Sequence, residues 1–120
     1  MKQPLEAQLL RIFIGESDKS HGRPLYEVIV ENARQFGLAG ATVLRGTLGF
    51  GAHSLIHTAK VLRISEDLPM VVEIIDSADR IDAFLMELNQ IMTEGLATVE
   101  KVRIITFDGG NAKTKPNRPA

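Results

Sequence analysis

Apolar residues in this chain switch repeatedly between a spacing of two and a spacing of three to four, and the order of the switches leaves few folds open. Leu9-Leu10-Arg11-Ile12-Phe13-Ile14 is short, rich in β-branched residues and closed by Gly15, which predicts a strand. A polar turn follows from Glu16 to Gly22, and Pro24 stands where a first helical residue tolerates a missing N–H. Leu25, Val28, Ile29, Ala33 and Phe36 then form one helical stripe, ended by Gly37 or Gly40. Ala41 to Arg45 predicts a second strand and Leu68 to Ile75 a third. Asp76 or Ser77 caps a second helix with the stripe Ile81, Phe84, Leu85, Leu88 and Ile91 or Met92, stopped by Gly95. Val99 to Phe107 predicts the fourth strand.

The order is therefore βαββαβ, an α+β arrangement. Right-handed crossovers interlock its two halves into one antiparallel sheet of order 4-1-3-2, with both helices on one face. The other face carries the functional hint. Leu10, Ile12 and Ile14 share one side of the first strand, and Leu9, Arg11 and Phe13 the other. The third strand divides as Met70, Val72 and Ile74 against Val71, Glu73 and Ile75. The fourth divides as Val102 and Ile104 against Lys101, Arg103, Ile105 and Phe107, and the first group of each is the side expected beneath the helices. A solvated face would alternate in polar residues, whereas Phe13, Val71, Ile75, Ile105 and Phe107 would leave an apolar patch in water. Association of subunits covers such a patch, with Arg11, Glu73 and Arg103 as candidate paired charges.

Composition narrows the function. The chain has no cysteine, which excludes thiolate metal sites, disulfides and cysteine nucleophiles and fits a reducing, cytoplasmic setting. With 14 Lys+Arg against 15 Asp+Glu, no basic field points to nucleic acid, and aromatic residues at 5% are too sparse for a base-stacking platform. No apolar run approaches a membrane span, and residues 1–6 lack a signal core. The reading is one domain over 1–107, with residues 108–120 a disordered tail that has little to bury.

About twenty residues, 46–67, separate the second strand from the third, long for a connection in a compact domain. Gly46, Gly49 and Gly51 let the backbone approach a ligand and turn N–H groups inward around an anion, while Lys60, Arg63, His53 and His57 add charge. The same glycines also suit a bulged, bent hairpin. His53 and His57 stand four apart, as a chelating pair on a helix does, yet two histidines leave a metal site incomplete. Glu16, Ser17, Asp18, Lys19 and His21 in one turn would serve a small enzyme, and capping accounts for them equally. No Walker-type phosphate loop and no nucleophile elbow is present.

Several runs in fixed order carry a resemblance: Gly15-Glu16-Ser17-Asp18, Gly22-Arg23-Pro24-Leu25-Tyr26, Gly37-Leu38-Ala39-Gly40-Ala41-Thr42-Val43, Leu44-Arg45-Gly46, Gly49-Phe50-Gly51, Ile56-His57-Thr58-Ala59-Lys60 and Leu62-Arg63-Ile64-Ser65-Glu66-Asp67-Leu68-Pro69. Over residues 8–107 the chain resembles the prokaryotic domain-of-unknown-function 190 family, described as PII-like. The resemblance implies a ferredoxin-like βαββαβ subunit, a homotrimer and no established enzymatic activity or cofactor. PII signalling proteins carry a Gly-Phe-Gly at the root of a loop that docks partners such as a transporter or an enzyme, and adenine nucleotides bind there between subunits. Gly49, Phe50 and Gly51 resemble that root. The chain departs from the PII pattern after Gly51, with Ala52 and His53, and at Thr93 to Thr98, which has one glycine and no lysine. The pocket implied is thus differently built. It takes a small anionic metabolite or nucleotide and uses Gly46, Gly49, Phe50, Gly51 and Lys60 with the Glu16, Ser17, Asp18, Lys19 turn.

Overall fold

The computed structural model describes residues 1–50 and 67–109. Within them, β1 (Leu5–Gly15), β2 (Lys19–Ser20), β3 (Arg23–Pro24), α1 (Leu25–Phe36), β4 (Ala41–Arg45), β5 (Pro69–Asp76), α2 (Ala78–Ile91) and β6 (Leu96–Ile104) follow in order. β2 and β3 form a small hairpin, and the other strands make an antiparallel sheet ordered β4-β5-β1-β6. Counting only those four, this is the expected βαββαβ sheet of order 4-1-3-2, a ferredoxin-like frame.

The core follows the predicted alternation on the central strands. Leu10, Ile12, Ile14, Met70, Val72 and Ile74 are buried beneath Leu25, Ile29 and Ala33 of α1 and Ile81, Phe84 and Leu88 of α2. Phe36 meets Phe84 edge-on with ring centroids 5.5 Å apart. Arg80 lies over the Phe36 ring and donates from its guanidinium to the Phe36 carbonyl at 2.9 Å, so one side chain joins α2 to the open end of α1.

Pro24 sits one position earlier than expected. It is the N-cap of α1, with ψ 128, because it pairs with Lys19 in the hairpin while the Leu25 N–H reaches the Asp18 carbonyl at 2.8 Å. Ser77 caps α2 by accepting from the Arg80 N–H, and Asp76 holds the Ala39 N–H at 3.0 Å instead. α2 ends at Ile91, short of Gly95.

The outermost strand differs from expectation in extent and in facing. β6 starts at Leu96, and its register sets Leu5 opposite Ile104, Ala7 opposite Val102 and Phe13 opposite Leu96. Paired residues share a face, so Val102 and Ile104 lie on the helix-free side, and Lys101 and Arg103 on the helix side. The reason is position. The helices lie over β4, β5 and β1, residues 96–101 of β6 are all exposed, and alternation there is not set by the core. Arg103 is consequently not one of the charges on the free face. Glu100 takes that place: Arg11 donates at 2.9 Å to both Glu73 and Glu100. Ile105 and Phe107 lie past the end of β6, and both are exposed.

The helix-free face is apolar as expected. Phe13, Val71, Leu9 and Ile75 form its centre, and Leu5, Leu44 and Leu96 are 61%, 48% and 59% exposed around them. Among the described residues no helix is long and apolar enough to cross a membrane. The part of the expected tail at 110–120 lies outside the described residues.

Candidate functional site at the root of the 46–67 segment

Antiparallel pairing brings the end of β1, the end of β4 and the start of β5 to one edge of the molecule. Gly15 is paired with Pro69, and Arg45 with Met70. The turn after β1 is tightened by the Asp18 N–H donating to the Gly15 carbonyl at 3.2 Å and the Gly15 N–H donating to Asp18 Oδ2 at 2.9 Å. The Glu16 N–H donates to the Leu68 carbonyl at 2.8 Å and the Gly46 N–H to the Pro69 carbonyl at 2.7 Å, which ties turn and strand ends into one unit.

Two side-chain contacts complete it. Arg45, the last residue before the outgoing root, sets its guanidinium 2.7 Å from Glu16 Oε2. Asp67, at the returning root, accepts from Ser17 through Oδ1, at 2.8 Å from Oγ and 3.3 Å from N–H. Glu16 Oε1 is buried and has no hydrogen-bond partner among the described residues. Neighbouring residues of a single turn therefore grip opposite ends of the segment.

Glycine is required here by close approach. A Cβ on Gly46 would lie 2.9 Å from Pro69 Cγ, and one on Gly49, whose φ is 156, 3.0 Å from the same atom. A Cβ on Gly15 would run into Asp67 Oδ1. Asp67 itself holds φ 44, a left-handed conformation that an Asp adopts more readily than most residues and still at a cost.

Of the residues expected to bind ligand, Glu16, Ser17, Asp18, Gly46 and Gly49 converge at this edge. Phe50 is 68% exposed beside them. Lys19 belongs to the small hairpin opposite Pro24, where Arg23 holds Glu31 through both guanidinium nitrogens at 2.8 and 2.7 Å and keeps that carboxyl below its ordinary pKa. Gly51 and Lys60, with His53, His57 and Arg63, lie outside the described residues.

Arg45, Asp67 and Pro69 were not among the expected site residues. Their signal is modest: a charge ending a strand just before the first glycine, and an aspartate two residues before a proline at the return. No group of three or more potential metal ligands occurs among the described residues. Ser20 Oγ lies 3.4 Å from His21 Nδ1 on an exposed hairpin, a contact between chain neighbours that sets no acid and base across a substrate position.

A ferredoxin-like sheet with a long segment rooted at one edge is the architecture of PII-like proteins. Residues 7–104 match the family model DUF190, described as Uncharacterized ACR, COG1993, and the chain belongs to that family. A UPF0166 protein of Aquifex aeolicus is 40% identical over 101 residues, covering 84% of this chain and 95% of that protein. A UPF0166 protein of Methanocaldococcus jannaschii is 30% identical over 73% of this chain and 81% of its own length. Among solved structures, a protein described as PII-like and signalling from Thermus thermophilus superposes with a TM-score of 0.62 at 19% identity, covering 87% of this chain and 94% of its own. CPII of Thiomonas intermedia, solved bound to ADP and bicarbonate, gives 0.54 at 15% identity, covering 85% and 91%. At those identities the structural likeness establishes the shared fold.

Proposed function

We propose that the chain is the subunit of a PII-like regulatory homotrimer, without catalytic activity of its own, working in the cytoplasm. Three copies close over the helix-free sheet face, and a small anionic effector, a nucleotide foremost, binds in the cleft where the loop root lies. Glu16, Ser17, Asp18, Gly46, Gly49 and Phe50 take part from the root, with Lys19, Gly51 and Lys60 completing the site. The 46–67 segment then docks on a protein partner such as a transporter or an enzyme.

One observation carries this reading: Glu16 with Arg45, and Ser17 with Asp67, fasten both ends of the long segment to one turn. Anything bound at that turn touches both ends of the segment at once, which is what a ligand-to-partner relay requires. The ADP-bound state of CPII, on the same fold, supports a nucleotide as the first ligand to test.

Calorimetry with ADP, AMP and ATP on the full-length assembled protein tests it, and silence across the nucleotides removes the nucleotide reading. Gly49→Val places a branched side chain at φ 156 against Pro69. That strain is about 1–3 kcal/mol, so binding is expected to weaken about tenfold or more while the sedimenting mass stays that of wild type. Unchanged binding would place the site elsewhere.

A further inference from the structure

The groups with which Ser17 would hold an anion are already occupied by one. Its N–H and Oγ both donate to Asp67 Oδ1, at 3.3 and 2.8 Å. Two further features mark this carboxylate as resident rather than incidental. Gly15 has no side chain exactly where Asp67 Oδ1 sits, so the turn is shaped around it. Asp67 makes these contacts with a left-handed φ of 44, a conformation with a standing cost.

We propose that Asp67 is an internal competitor, a carboxylate lodged on the Ser17 donors in the place of an external oxyanion. The inference rests on the loop-root site proposed above and assigns its ligand chemistry and its regulation. An incoming oxyanion takes the Ser17 N–H and Oγ and displaces the Asp67 carboxylate from them, which frees residue 67 to leave its strained φ. Occupancy is thereby written directly into the returning root of the 46–67 segment, while Glu16 continues to hold the outgoing root through Arg45. A nucleotide phosphate and a free oxyanion share this chemistry.

The sign of one substitution separates a competitor from an ordinary binding or structural residue. Calorimetry is carried out on full-length assembled wild type, Asp67→Asn, Gly15→Ala and Ser17→Ala, each with ADP, inorganic phosphate and bicarbonate. Asp67→Asn removes the competing charge, and Gly15→Ala evicts the carboxylate while leaving it on the chain. Both are expected to bind at least one probe about tenfold more tightly than wild type, and Ser17→Ala about tenfold more weakly. A gain for ADP alone identifies a nucleotide phosphate as the source, and a gain for phosphate or bicarbonate a free oxyanion. If wild type is silent and both variants bind, the competitor stands and the wild-type effector reading falls. If wild type binds ADP and neither variant binds any of the three probes more tightly than wild type does, the competitor is overturned and the regulatory reading stands. Silence of all four proteins overturns both.

Discussion

Phe84 and Met86 sit two residues apart on α2 and show how unevenly this small core depends on its members. Phe84 is fully buried against Phe36 and the sheet, while Met86 is 69% exposed. Phe84→Ala removes a ring whose loss typically costs about 3–5 kcal/mol, whereas Met86→Ala should stay within about 0.5 kcal/mol. Urea unfolding at fixed protein concentration measures both. Near-equal effects would mean that α2 lies on the sheet by a different face. The distinction was legible in the stripe of Ile81, Phe84 and Leu88, because a buried helix face repeats at a spacing fixed by backbone geometry. Asp67 was not legible in that way. Its role depends on a positive φ and on a partner fifty positions away, and no local pattern encodes either.

At the level of elements, the helix ends follow local chemistry closely. Gly37 has φ 90, its N–H reaches the Arg34 carbonyl at 3.0 Å, and its Cα faces the Arg80 guanidinium at a distance that leaves 3.1 Å to an added Cβ. Gly37→Ala is expected to lower stability by about 1–2 kcal/mol through the left-handed backbone alone. Ser77→Ala, by removing the α2 cap, should cost about 1 kcal/mol. Equal unfolding midpoints for wild type and both variants would contradict these cap assignments. β1 and β5 could be read from alternation because the core enforces it on them. β6 could not, since its facing is set by hydrogen-bond register against β1 and confirmed by the Arg11 to Glu100 contact rather than by burial. Arg103 was expected on the free face because alternation was read outward from Val102 and Ile104, two apolar residues that lie on the free face themselves.

For the whole molecule, the frame and the site have different origins. Strand and helix order follow from short-range spacing, and the site follows from which strand ends the topology brings together. The sequence therefore pointed to Glu16, Ser17, Gly46 and Gly49 separately, while their meeting with Arg45 and Asp67 required the sheet. The proposed association depends on all of it. The proposed trimer covers the sheet face bearing Leu5, Leu44, Phe13, Ile75 and Leu96, with the Glu73–Arg11–Glu100 ion pairs at its centre to favour one register of contact. Sedimentation equilibrium of the full-length protein at micromolar concentration tests this most directly. The account predicts a single species of three times the 13.2 kDa chain mass, and Leu9→Glu with Phe13→Glu should reduce it to one. A wild-type protein that sediments only as single chains would contradict the covered sheet, and with it the clefts on which the regulatory reading depends.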